Sequence, residues 1–526
     1  MRNLSKALSA LMTAVILVTG TGCGKVAEED SVIHSPATKS DNTLTCMVWD
    51  RGTFPEGCTA DDNTLANWIR SKIKDQYDIE LHFVGVDRLK SDDIITGMVD
   101  EGTAPDIIFT YSPSVFGYMS QQGKITDLSE PFKNYGENIS NYIGDVQYMG
   151  QYNDAQAAII KRRGFKLPRH MAYIRKDFCD ALGMSVPSTK KELIDYLYAV
   201  KENNPSGDSG LIPWAMGGDI HSERYYQSFI NSYVGKLSER DSFIYSERYM
   251  VVADGAIDGL RELNRLYNDG IITLDFTADH DNELFKDTVK KGKAGFFVED
   301  TTAPFKYIPV LKESNPTAEF VPVLCFEGSD GNYLNVTEPD FGMYIMVPSA
   351  SKDKAELAMK YLNWLADPEN AELVSYTPEH TNTDKNAPKS LLKDELFARG
   401  YPGSPEDYSI VNEHFEFVED REAQISAWSV DNDWESNEWF EGFYDAVVKD
   451  QYTFPKTSVV LEAEAKYQTG LETALVEYAF NLICCPTDEF DSMQESEYRR
   501  LQSLGLDEIL KERAAYYDSG EIKVGY

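Results

Sequence analysis

Ala104-Pro-Asp-Ile-Ile-Phe109 ends in an unbroken apolar run, the mark of a strand covered on both faces. Just before it, a helix is expected around Lys90–Glu101. Further upstream, Ile79-Glu-Leu-His-Phe-Val84 reads as another strand. Around Thr64–Tyr77 the residues Leu65, Trp68, Ile69, Ile73 and Tyr77 fall on one side of a helix. The first ordered run is Leu44-Thr-Cys-Met-Val-Trp-Asp50, ended by Asp50-Arg51-Gly52. Strands that alternate with helices in this way predict parallel βαβ units and an α/β lobe. In an open α/β sheet, ligands sit outside the carboxyl ends of the strands. Two exits therefore draw attention, Trp49-Asp50-Arg51 and Thr110-Tyr111-Ser112.

The middle of the chain is again mixed. Helices are expected near Lys190–Asn203, Ile257–Asn268 and Glu283–Lys290, and strands near Ala172–Arg175, Ala294–Val298 and Phe341–Val347. A helix around Lys354–Leu365 carries Leu357, Met359, Tyr361, Leu362 and Leu365. The final third reads as mostly helical, with Asp507–Tyr517 amphipathic. A chain of 526 residues exceeds one hydrophobic core, so at least two domains are expected.

The amino terminus has the order of an export signal. Arg2 and Lys6 precede the apolar run Leu11–Val18, which is too short to span a bilayer as a helix. Small residues then lead to Cys23 in Thr19-Gly20-Thr21-Gly22-Cys23. A cysteine so placed resembles the bacterial lipobox, although Gly20 stands where that pattern usually carries Leu. The resemblance implies cleavage of residues 1–22 and a diacylglycerol on the Cys23 thiol. Residues 23–43 are polar and aperiodic and read as a flexible tether. Cleavage would leave 48 basic side chains against 87 acidic ones. Such an excess argues against nucleic acid and anionic membrane surfaces as partners.

Six cysteines remain beyond Cys23: Cys46, Cys58, Cys179, Cys325, Cys484 and Cys485. Cys46 and Cys58 flank one loop and are the favoured disulfide pair, with free buried thiols expected for most of the others. The adjacent Cys484 and Cys485 are poorly placed to bridge each other. No spacing resembles a zinc site, and no metal or cofactor is expected. The acidic runs Asp275–Glu283 and Asp431–Glu435 lack the EF-hand order with its central glycine, which favours solvated loops over calcium sites. The chain carries no G-x-S-x-G elbow, H-E-x-x-H or P-loop. With 87 acids, paired carboxylates arise by chance and do not argue for a glycosidase.

Several stretches, in order, resemble family 1 extracellular solute-binding proteins. They are Gly102–Phe109, then Gly117–Leu128, then Tyr173-Ile-Arg-Lys-Asp177 with Leu182–Pro187 and Lys190–Leu193. Gly292-Lys-Ala-Gly295, Val347-Pro348 and Ala355–Pro368 follow. The length and the Glu379-His380 loop resemble the long subgroup of Gram-positive bacteria tied to sugar import. The resemblance implies a type II periplasmic-binding-protein-like fold, in which two α/β lobes joined by crossing segments close on a solute, with a helical carboxy-terminal region. It places residues 44–155 and 341–385 in the first lobe and 156–340 and 386–526 in the second. It also implies ABC-transporter permeases as partners, a monomer, and a place on the outer face of the cytoplasmic membrane. The expected cargo is a sugar or oligosaccharide, with a peptide or other polar solute as the alternative. A lipid-anchored hydrolase and a surface adhesin are the alternative functions.

A neutral sugar needs flat apolar faces for its C–H surfaces and planar polar groups for its hydroxyls. The candidates are Trp49, Asp50 and Arg51 at the first exit and Thr110 and Tyr111 at the second. Trp214 sits in a turn-rich loop, and Glu299 and Asp300 end the strand after Gly-Lys-Ala-Gly. Tyr344 lies in a crossing segment, and Glu379 and His380 lie beyond the late helix. Trp428 and Trp434 are weaker candidates, whereas Trp364 reads as core.

Overall fold

Asn63 starts the first helix, Thr64–Tyr77, by accepting a 2.9 Å hydrogen bond from the Ala66 amide. Asp78, in a left-handed conformation, ends it. The helix buries Leu65, Ala66, Ile69 and Ile73, and each of the larger side chains contributes about 1.5–3 kcal/mol by leaving water. Here and below, the chain is seen in a computed structural model. It describes residues 42–526 apart from 163–166, 220–223, 340, 385–386, 390, 392, 413–419, 431, 433, 458, 460, 521–523 and 526. The export signal, Cys23 and nearly all of the tether lie outside the described residues.

The strand Thr43–Asp50 pairs in parallel with Glu80–Asp87. On its other side, Met47 and Thr45 exchange backbone bonds with Ile107, at the entry to the Ile108–Thr110 strand. The Phe341–Met346 strand adds on antiparallel and pairs in turn with Ile159–Arg162. A first core forms around this sheet from residues 44–160 and 341–411. Asp106 helps to lock its centre. One of its oxygens accepts from the Thr45 amide and hydroxyl, both at 2.9 Å, and the other from the Ser351 hydroxyl at 2.6 Å.

The second sheet runs in the spatial order Phe320–Val323, His170–Arg175, Ala294–Asp300 and Ile212–Ala215. His170–Arg175 runs antiparallel to both of its neighbours, and the last pair is parallel. The surrounding core takes residues from 167–325 and from the late helices. These include Asn437–Val448, Glu462–Cys484, Phe490–Ser503 and Leu506–Asp518. Arg513 ties the last of them down: its guanidinium donates to the Phe243 and Ile244 carbonyls and pairs with Glu464. Among the described residues no helix is long and apolar enough to cross a membrane.

Two expectations are corrected here. Cys46 and Cys58 are not bridged, and both are free thiols, as are the other four described cysteines. Cys46 lies on the sheet in the first core, where burial pushes its thiol pKa far up, and Cys58 sits in the following loop. The stretch after residue 386 does not pass directly into the second core. Leu391, Leu396, Tyr401, Tyr408, Ile410 and Val411 belong to the first. The Tyr408 hydroxyl donates to the Ala60 carbonyl at 2.7 Å and accepts from Asn63 at 2.8 Å, pinning the stretch beside the first helix.

Candidate functional site

Three parallel strands of the first sheet end side by side, at Asp50, Asp87 and Thr110. Trp49 and Tyr111 meet there, with rings stacked at 5.5 Å and 24°. Phe109 supports the indole from below, edge-on at 5.3 Å. Tyr111 is 38% exposed, so the pair presents an aromatic surface to solvent instead of filling the core. Two guanidiniums lie over the indole, Arg88 at 5.0 Å and Arg51 at 5.5 Å. Both are within cation–π range.

The two arginines differ in their partners. Arg51 makes a bidentate pair with Asp407, at 2.6 and 2.7 Å. Burial alone would lower its pKa, but the Asp407 carboxylate outweighs that and holds it above the ordinary value. Thr110 is buried and donates to Asp92 at 2.6 Å, so it serves the strand end from behind. Burial raises the Asp92 pKa above the ordinary carboxylate range. Asp50 accepts from the Gly52 amide at 2.7 Å and shapes the turn after its strand.

On the second sheet, Glu299 and Asp300 end their strand opposite Met171 and His170. Glu299 is buried, and each of its oxygens accepts from a tyrosine, Tyr225 at 2.9 Å and Tyr307 at 2.8 Å. Asn282 donates to the same Tyr225 hydroxyl at 3.1 Å. Asp300 is one-third exposed; Arg169 donates to it at 2.9 Å, and Thr302 holds its second oxygen.

Besides Thr110 and Glu299, three further sequence candidates are placed away from solvent. Trp214 is fully buried among Phe229, Phe296 and Phe326, with ring centroids 5.1–6.3 Å away. No face of its ring is left for a solute, because its strand lies inside the second core. Tyr344 is also core: it is 2% exposed and stacks on Phe116 at 4.5 Å. His380 is turned inward, its ring nitrogens against the Thr377 carbonyl at 2.6 Å and Glu372 at 2.9 Å. Its neighbour Glu379 is half exposed and pairs with Arg399 at 2.7 Å. Trp428 and Trp434 pack around Phe305 with Trp439 and Phe443.

Sequence reasoning missed Arg88, Arg169 and Asp407. Arg88 was accessible to it, because it follows the end of a strand directly, as Arg51 does. Asp407 carried no signal, since it reaches Arg51 across 356 residues of chain.

The comparisons with known proteins agree with this architecture. The lipoprotein LipO of Bacillus subtilis is 25% identical over 289 residues, 52% of this chain and 54% of that protein. The chain thus spans about half the length of the curated relative it matches. An HMO-binding, ABC-transporter-associated solute-binding protein of Bifidobacterium longum infantis superposes with a TM-score of 0.66 at 16% identity. That match covers 91% of this chain and 99% of the other. FusA, an ABC-transporter substrate-binding protein of S. pneumoniae solved with kestose, gives a TM-score of 0.62 at 16% identity, covering 91% and 99%. The fold is therefore the two-lobe, type II periplasmic-binding-protein-like α/β fold, with a helical carboxy-terminal region. The model of the bacterial extracellular solute-binding proteins matches residues 64–372, and the chain belongs to that family.

Proposed function

We propose that this protein is the lipid-anchored capture component of an ABC importer, and that it binds a sugar or oligosaccharide between its two lobes. The observation that carries the reading is the Trp49–Tyr111 pair at the strand ends, with Tyr111 open to solvent. Stacked aromatic faces match the C–H faces of a pyranose or furanose ring, and Arg51 and Asp300 supply planar polar groups for hydroxyls. The two sugar-associated neighbours agree with a sugar as cargo, although fold alone does not assign a ligand.

In this reading the solute favours the closed state by the contacts it makes only there, and the closed form docks on the permeases. ATP hydrolysis belongs to a separate subunit, and the chain itself performs no chemistry. The lipid on Cys23 would hold it on the outer face of the membrane.

A thermal-shift screen of residues 24–526 against oligosaccharides tests the assignment, because a ligand of the native state raises the melting point by mass action. Saturable stabilisation by one glycan class is expected. Silence toward all glycans, with shifts from peptides, would remove the sugar and leave the fold. Turnover of a glycan by the purified protein would instead favour a hydrolase. Replacing Cys23 by Ser should release the protein from cells into the medium.

A further inference from the structure

The mouth of the site mixes basic and acidic side chains, in a protein whose formal net charge is −37. Arg51, Arg88 and Arg169 contribute three guanidiniums, and two of them are already matched. Asp407 takes Arg51 through both oxygens, and Asp300 accepts from Arg169. Arg88 differs. It is exposed and lies over the Trp49 ring, and no described carboxylate is within ion-pairing distance of it. The acids around it are engaged elsewhere. Asp87 accepts from the Leu89 amide at 2.9 Å, and Asp50 from the Gly52 amide. Asp407 is within electrostatic reach but spends its oxygens on Arg51. Burial, and next the like charge of Arg51, lower the Arg88 pKa, the opposite of what an ion pair would do; Arg169 adds to the repulsion.

A guanidinium held on an aromatic face has its planar fork of donors fixed in orientation. Planar oxyanions fit that fork with two parallel hydrogen bonds. The fork left open on Arg88 therefore suits one carboxylate on the solute. We propose that Arg88 selects a sugar residue bearing a carboxylate, which it takes bidentately while the sugar ring stacks on Tyr111 and Trp49. The inference rests on the sugar-binding reading above and narrows it from neutral glycans to acidic ones.

The test pairs uronate- and sialate-containing oligosaccharides with their neutral methyl esters, titrated calorimetrically into the purified protein. At least one acid should bind about tenfold to a hundredfold more tightly than its own ester, the worth of a charge-assisted pair. High salt should erode that preference. Arg88→Gln should abolish it, bringing the acid and its ester to equal affinity, with the melting point close to wild type. Arg88→Lys should restore part of it. Equal affinity for acid and ester, or binding only of neutral glycans, would overturn the inference and leave the sugar reading intact. An acid preference that survives Arg88→Gln would overturn the role of Arg88. Failure of every glycan, acidic and neutral, would remove both.

Discussion

The strand ends of the two sheets are finished in opposite ways. On the first, Trp49 and Tyr111 keep an aromatic surface in contact with solvent, and Arg88 has no carboxylate of its own among the described residues. On the second, Glu299 is saturated by two tyrosines and Trp214 is sealed among phenylalanines. The first edge is therefore free to exchange water for a solute. The second is mostly a scaffold, with Asp300 and Arg169 as its exposed polar pair. Buried polar groups whose bonds are complete gain nothing from a ligand, whereas half-exposed aromatic and cationic groups do.

The sharpest way to break this comparison is Trp214→Ala, which should lower stability by about 4 kcal/mol because it empties a packed aromatic site. Urea unfolding reads the loss, and solute affinity measured on the folded protein should change little. Lost affinity at intact stability would return Trp214 to the site. Glu299→Ala comes next, at about 2–3 kcal/mol, since it strands the hydroxyls of Tyr225 and Tyr307 without their acceptor. Tyr111→Ala should reverse the pattern. Solute affinity should fall about tenfold, or 1.4 kcal/mol, while the melting point hardly moves. A large loss of stability with affinity intact would make Tyr111 a structural residue.

The smallest effect concerns Asp92. Burial raises its pKa in the folded state, so its charged form costs stability at neutral pH, and the cost disappears as pH falls below the ordinary carboxylate range. Asp92→Asn should accordingly be slightly more stable than wild type at neutral pH. It keeps an amide oxygen for the Thr110 hydroxyl. The difference should shrink as pH falls through the raised pKa, and a difference that grows on acidification would contradict the sign.

Much of the fold was legible because it is written in short-range patterns. The helices Thr64–Tyr77, Lys190–Asn203 and Glu283–Lys290 lie where the apolar spacing predicted them. Glu299 and Asp300 were read as the cleft-facing end of the strand after Gly-Lys-Ala-Gly, and the strand does run to Asp300. Glu299, however, carries the strand into a buried tyrosine pair that no local pattern announces. Trp49 and Tyr111 were recognisable from strand exits, since the end of a parallel strand is a local feature with a general geometric meaning. Whether a ring at such an exit is buried is not local. Trp214 and Tyr344 were misjudged because their neighbours come from distant segments, such as Phe326 and Phe116.

The sequence by itself determined the alternation of strands and helices, the family, and which residues stand at the ends of the first sheet, because periodicity and turn chemistry act over a few residues. The tertiary structure alone decided which of those residues remain open. It brought Asp407 across the chain to Arg51, closed aromatic cores over Trp214 and Tyr344, and set Arg88 on Trp49 with no carboxylate among the described residues to pair it. Burial and charge pairing are set by whatever the folded chain brings alongside, and sequence distance carries no record of that.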